Sequence, residues 1–385
     1  MTMRSQTHTF FYTLILFSTL TAQAQTGGGW KLAASPAGAN YHGIQFVYFF
    51  NRKDGVVAGD SGFIRYTSDG GSTWQPPASI KSRKNAPLQL KDDFYRGMRV
   101  GDTLFLMGVQ YLLYSKDSGR SWYEAGSPKT AKDLGITWEQ EFFYADVFFA
   151  GEDEGWLLCI ASRGAGKFMS YVLHTDNKGE NWVTYASLPT DKKMWKMFFI
   201  DKKFGWVVGD GGTILESTDR GRSWDKLKRG PQWRLEQRTA RVRQSLPNLL
   251  NIMFSNENED EGVIVGTNGT ILRTTDGGEE WYQVKPPRPP SKGKNHNDLV
   301  KVEFVAERGD ESYWWIVGRS GEILCTSDGG ESWVRQNRAV PHDLYSIYML
   351  NLDVGWAGGD KRTLLSYRGD RHARCGFDDG ERRRP

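Results

Sequence analysis

Cysteine is nearly absent from this 385-residue chain. There are three, Cys159, Cys325 and Cys375, and an odd number cannot make a fully paired disulfide framework. Cys159 in GWLLCI and Cys325 in GEILCT lie in apolar, strand-like runs and read as small buried hydrophobes, so the fold is expected to rest on its core. Histidine is scarce too, at six, and His42 with His342 lacks a third ligand, so neither a metal nor a cofactor is expected. A formal net charge of +4 is too small to mark a nucleic-acid binder. Long apolar runs are missing as well, so no membrane span is expected; the short run Phe10 to Phe17 falls below the roughly 18 residues an anchor needs. That run follows Arg4 and precedes Ala22-Gln23-Ala24, the small-x-small form of a signal-peptidase site. Residues 1–24 are therefore read as a cleaved signal, and the remainder as a soluble, secreted or periplasmic monomer. No cysteine follows the cleavage site, which argues against a lipid anchor.

Aromatic side chains are plentiful: 15 Trp, 16 Tyr and 20 Phe, each able to bury about 150–250 Å². They recur with a pattern. S/T-x-D-x-G-x-x-W occurs as TSDGGSTW (67–74), SKDSGRSW (115–122), STDRGRSW (217–224), TTDGGEEW (274–281) and TSDGGESW (326–333). HTDNKGENW (174–182) reads as a looser copy with one extra residue, its acid taken as Asp176. Upstream of the copies, GWVVGDGGTIL (205–215), GVVAGDSGFIR (55–65) and GVIVGTNGTIL (262–272) repeat a short apolar strand, a Gly-x-x-Gly turn and a second strand. A further run begins each unit with an anchor, taken as Tyr41, Tyr95, Tyr144, Met194, Leu249, Leu299 and Leu344, at spacings of 45 to 55 residues.

Four short strands at this period are the signature of a propeller blade, and seven anchors predict an all-β, seven-bladed β-propeller over residues 25–370. The last unit lacks a Trp strand. GGGWKLAAS (27–35) looks like the end of a unit, so the N-terminal strand at Trp30 is expected to complete the last blade and close the ring. Residues 371–385, polar and without period, are expected to form a disordered tail.

A carboxylate repeated once per blade reads as structural. Asp in a tight turn accepts backbone N–H bonds about two residues on, and the following Trp buries its ring as an anchor. The structural pairs are Asp69 with Trp74, Asp117 with Trp122, Asp176 with Trp182, Asp219 with Trp224, Asp276 with Trp281, and Asp328 with Trp333. No catalytic residue is expected among them, since a glycosidase needs two carboxyls within about 10 Å and these belong to separate blades. The combination GWVVGDGGTIL…STDRGRSW, repeated over residues 41–367, resembles the photosystem II stability/assembly factor-like propellers of the Asp-box, or bacterial neuraminidase repeat, superfamily. The resemblance implies a non-enzymatic, exported scaffold that holds other polypeptides during assembly. The Phe-Arg-Ile-Pro motif that the same repeat carries in sialidases is missing; FIRY (63–66) is a strand of the first unit.

Strand order separates two faces. Connections between blades and the turns between second and third strands fall on one, here the upper face, and the Asp turns on the lower. The connectors at 225–248, 282–298 and 75–94 carry excess positive charges of five, three and two, while 123–141 carries two excess negative charges. The upper face is thus expected to be basic and to hold an acidic or C-terminal segment of another protein. Arg234, Arg238, Arg241 and Arg243 in the first connector are the candidate contacts; residues 232–245 lie between Pro231 and Pro247 and have the length of a short helix, though without a clean apolar stripe. At the channel mouth the residues after the anchors, His42, Arg96, Trp195 and Tyr345, are expected to be exposed, with Arg319 in a turn on the same face. The alternative is a carbohydrate-active propeller, a glycoside hydrolase or lectin, with Glu139 or Glu141 as its acid.

Overall fold

A computed structural model describes residues 29–36, 43–126, 128, 142–227, 246–288, 297–337, 339–369 and 375. Seven sheets follow one another around a ring, antiparallel apart from one added edge strand in the second. Their inner strands are Ile44–Phe49, Phe94–Val100, Phe142–Phe149, Met194–Phe199, Leu249–Phe254, Leu299–Arg308 and Leu344–Asn351, for blades 1 to 7. Second strands such as Gly55–Gly59, Gly205–Gly209 and Gly262–Gly266 are buried along their whole length, because blades cover both faces of each sheet. Blade 7 is built from both ends of the chain. Gly29–Leu32 pairs antiparallel with Thr363–Arg368, Trp30 opposite Tyr367, which closes the ring as the sequence led one to expect.

The seams between blades are aromatic. The Phe ending an inner strand lies flat against an aromatic on the second strand of the preceding blade: Phe149 on Phe105 (4.4 Å between centroids), Phe199 on Trp156 (4.1 Å) and Phe49 on Trp356 (3.5 Å). Its edge meets the Asp-turn Trp of its own blade, as for Phe199 and Trp224 at 5.9 Å. The Gly that opens the second strand in blades 1, 3, 4 and 5 follows from this wedge. A Cβ on Gly205 would stand 2.5 Å from the Phe199 ring, and one on Gly55 equally close to Phe49. The Gly closing the strand is excluded from substitution by backbone, since a Cβ on Gly209 would lie 2.2 Å from the Lys193 carbonyl.

Several expectations need correction. Blade 1 is anchored by Ile44 and blade 2 by Phe94, both fully buried; Tyr41 lies outside the described residues, and Tyr95 is the neighbour of the true anchor. Position in the pleat decides burial, and neither Ile44 nor Phe94 is set apart from its neighbours by side-chain type alone. Blade 1 has three strands, with only a single bridge from Tyr66 to Gln75 where a fourth would run. The segment 75–94 does not stay on the upper face. Its strand Ser79–Lys81 leaves blade 1 and pairs parallel with Ser121–Glu124 at the outer edge of blade 2, Lys81 stacking over Tyr123. Cys325 is not a lone buried thiol but is disulfide-bonded to Cys375, which is itself buried within what was expected to be a disordered tail. The rest of 371–385 lies outside the described residues. Cys159 is free and buried.

Candidate functional site at the mouth of the channel

The Asp turns are closed by internal hydrogen bonds. In blade 1, Thr67 donates its hydroxyl to Asp69 (2.8 Å) and accepts from Gly71 N–H (3.0 Å), while Asp69 accepts from Thr73 N–H (2.9 Å) and Thr73 hydroxyl (2.6 Å). Trp74 Nε1 closes the turn on the Gly71 carbonyl. The Ser or Thr hydroxyl and the N–H four residues on bond the carboxylate in the same way around Asp117, Asp219, Asp276 and Asp328. Blade 3 corrects the assignment of Asp176. Asn177 takes the position, receiving Thr175 hydroxyl at 2.8 Å and Asn181 N–H at 3.0 Å, so TDNKGENW (175–182) has no extra residue. A neutral amide oxygen makes the turn as a carboxylate does, which identifies the requirement as an acceptor rather than a reactive acid. The turns also lock neighbouring blades: Arg120 reaches Asp54 of blade 1 (3.1 Å), and Arg220 bonds Glu154 of blade 3 and offers its carbonyl to Trp156 Nε1 (2.9 Å).

These bonds stabilise the ionised carboxyls. The Thr73 hydroxyl, then its backbone N–H and Thr67, hold Asp69 down at about 2. Burial pushes Asp219 and Asp328 up, but the Ser223 and Ser332 hydroxyls and N–H groups outweigh it and both end below the ordinary range. A carboxyl depressed in the folded state contributes stability that is lost as pH falls through its folded value. Asp92 and Glu303, raised by burial, act with the opposite sign, and their effect is complete once pH is below the ordinary carboxylate range. Urea midpoints should therefore fall between about pH 4 and pH 2. Constant midpoints across that window would contradict the hydrogen bonding described.

The upper face ends in a different construction. In all seven blades the inner strand slips register by one residue just after its anchor, a β-bulge, and a bulge re-aims the extra side chain. The bulged residues are Gln45, Tyr95, Ala145, Trp195, Leu250, Val300 and Tyr345, and all except Leu250 line one cavity of about 230 Å³ at the mouth, together with Arg96. Three are held by an acid in the turn between the second and third strands of the same blade: Gln45 donates to Asp60 (3.0 Å), Trp195 Nε1 to Asp210 (2.7 Å) and Tyr345 to Asp360. Burial and then that bond to Asp360 raise the Tyr345 phenol above its ordinary value, so it stays neutral. Asp60, Asp210 and Asp360 went unnoticed in the sequence, although the repeated Gly-Asp of AGDSG, VGDGG and GGDKR was the signal.

Below the bulges, the next position on each inner strand faces the channel. Arg96, Asp146, Lys196, Asn251, Lys301 and Ser346 occupy it in blades 2 to 7. Lys196 Nζ lies 2.9 Å from Asp146 and Arg96 Nε 3.9 Å from it; Lys301 Nζ lies 3.6 Å from Glu303 and donates to the Ile347 carbonyl at 2.8 Å. Asp146 is fully buried and also accepts Met197 N–H at 3.0 Å. Burial lowers both lysines against the raising effect of their acids, and raises Glu303.

Of the residues singled out in the sequence, Trp195 and Tyr345 lie at the mouth as bulged residues, and Arg96 lies one position deeper than expected. Arg319 is on the upper face but bonded to Asp298 (3.2 Å) and Asp343 (2.9 Å), so it is engaged within the ring. His42, Arg234, Arg238, Arg241, Arg243, Glu139 and Glu141 lie outside the described residues; Gln45 takes the mouth position expected of His42. His342 bonds Thr363 (3.1 Å).

The model of the family Photosynthesis system II assembly factor YCF48 matches residues 183–285, 232–335 and 290–368. Photosystem II stability/assembly factor HCF136, chloroplastic, of Oryza sativa subsp. japonica is 34% identical, over 69% of this chain and 76% of its own; the Arabidopsis thaliana protein of that name is 24% identical, over 69% and 72%. The solved structure of YCF48 bound to D1 peptide superposes with a TM-score of 0.60 over 90% of this chain and 96% of that one, at 18% identity. The GH74 xyloglucanase from Xanthomonas campestris superposes at 0.59 over 92% of this chain and 55% of its own, at 15% identity, which shows a shared fold. At 34% identity over 76% of the rice protein's length, the chain belongs to the photosystem II stability/assembly factor family of β-propellers.

Proposed function

We propose that this propeller is a non-enzymatic assembly factor that holds a segment of another polypeptide across its upper face. The observation that carries the reading is the bulge in every blade: seven strands each give up one ladder position, and six of the displaced residues gather round one mouth. Three aromatic rings there, Tyr95, Trp195 and Tyr345, offer flat amphipathic surface, which suits peptide recognition at low entropic cost. The family relatives carry the name of assembly factors, and one solved relative holds a peptide. The basic connectors, with Arg234, Arg238, Arg241 and Arg243, would extend the grip outward to acidic partners. A disulfide between Cys325 and Cys375 suits an oxidising compartment, in keeping with the export signal read at residues 1–24.

The xyloglucanase likeness raises the enzymatic alternative, which this mouth does not favour. Asp146 is sealed by Lys196 and a backbone N–H, and Glu303 is tied to Lys301, so neither acid is free to attack or protonate a sugar. An array of random decapeptides probed with the full chain tests the reading. Retained peptides should lose at least tenfold in affinity on the double substitution Trp195→Ala and Tyr345→Ala, with the circular dichroism spectrum unchanged. Equal binding by the variant, or turnover of xyloglucan oligosaccharides by the native chain, would refute it.

A further inference from the structure

The channel below the mouth contains more positive charge than its own acids neutralise. Arg96, Lys196, Lys301 and Glu303 line one cavity of about 180 Å³, and Asp146 is the second carboxylate in contact with them. Three cations from blades 2, 4 and 6 thus meet two anions. Distances show where the surplus lies. Lys196 is paired closely with Asp146 at 2.9 Å, and Lys301 has Glu303 and a backbone carbonyl. Arg96 stands 3.9 Å from an already occupied Asp146, and its Nε is buried with no hydrogen-bond acceptor. The only other contacts of the guanidinium among the described residues are a long bond from Nη1 to the Tyr95 carbonyl (3.4 Å) and the Tyr95 ring beneath it, so the buried Nε still favours an acceptor. The opening leads to the upper face through Tyr95, Trp195 and Tyr345, with Arg96 lining both the mouth and the channel.

We infer that the channel takes one carboxylate, the free C-terminal carboxylate of a polypeptide entering from the upper face, with Arg96 as its principal partner and Lys196 and Lys301 adding attraction. The inference rests on the peptide-holding reading above and adds the end of the peptide that is recognised. A guanidinium presents parallel N–H donors that match the two oxygens of a carboxylate, which an ammonium does not. A chain terminus carries its carboxylate at the end of an extended segment, so both oxygens can be turned to Arg96 while the preceding residues lie against Tyr95, Trp195 and Tyr345. The single surplus charge also sets the preference for a monoanion.

Calorimetric titration of the full chain with N-acetyl-Ala-Ala-Ala, its C-terminal amide and acetate decides the matter. The acid tripeptide should bind at least tenfold more tightly than the amide and more tightly than acetate. Arg96→Met should reduce binding of the acid to the level of the amide, and Arg96→Lys should retain part of it. Equal binding of acid and amide would overturn the carboxylate inference while leaving the peptide-holding reading intact. Acetate binding as well as the tripeptide would mean a site for small free carboxylates and overturn the chain-terminus claim. No binding of any of the three would overturn the site itself, and the amide comparison on the native chain stands even if the Arg96 variants do not fold.

Discussion

Replacing Trp356 by alanine should lower the stability of the ring by about 3–5 kcal/mol, the usual loss when a buried Trp is truncated to Ala. Trp356 is 1% exposed on the second strand of blade 7, and its indole lies parallel to Phe49 of blade 1, 3.5 Å away at an interplanar angle of 5°. Phe49 is itself wedged edge-on against Trp74, 6.1 Å between centroids. Truncation therefore removes the flat partner of a ring that cannot collapse into the void, because the second side of Phe49 is already fixed. Gly55 presses on Phe49 as well, since there is no room for a Cβ between them. Equilibrium urea unfolding measures the effect. A loss below about 1 kcal/mol would show that the seam between the first and last blades is held by something other than this stack.

Reduction of the Cys325–Cys375 bond should cost about 4 kcal/mol, because the bridge closes a loop of 50 residues and such a loop restricts the unfolded chain by about that amount. Cys325 lies in the third strand of blade 6, Glu322–Thr326, and Cys375 is 2% exposed, packed with Trp30, Trp315 and Tyr367. The staple thus ties the segment after the last strand to the blade before it, across the blade that joins the termini. Thermal unfolding of the native chain with and without dithiothreitol, beside Cys375→Ser under both conditions, gives the value. The variant should unfold early and ignore the reductant. A native midpoint unmoved by dithiothreitol would end this account of the bridge.

Blade number was legible in the sequence because it depends on a local pattern repeated several times, and ring closure by Trp30 because the last unit lacks the strand that the N-terminus resembles. The failures share a cause. Asp176 looked like the turn acid because acid was sought, whereas the turn selects an acceptor at a fixed distance from Thr175, which Asn177 supplies. Ile44 and Phe94, not Tyr41 and Tyr95, anchor the first two blades, because burial is set by register, which side-chain type does not reveal. The parallel strand Ser79–Lys81 and the disulfide join segments far apart in the chain, and no local pattern announces such pairings. The bulges were equally silent: a one-residue slip leaves composition untouched and changes only where the next side chain points. Consequently the mouth was foreseen as a place, and three of its residues, Arg96, Trp195 and Tyr345, were foreseen by number, while the other members of the charged cluster beneath it, Asp146, Lys196, Lys301 and Glu303, were not.

Sharing blade 7 between Gly29–Leu32 and Thr363–Arg368 has a consequence for how the molecule is made. Synthesis delivers the earliest strand first and its receiver among the last, so the growing polypeptide is an unfinished arc with an unfilled berth at one end and a waiting strand at the other. Length is thereby checked by geometry: any product stopped short of residue 363 lacks the strand that receives its own beginning, and cannot become a circle.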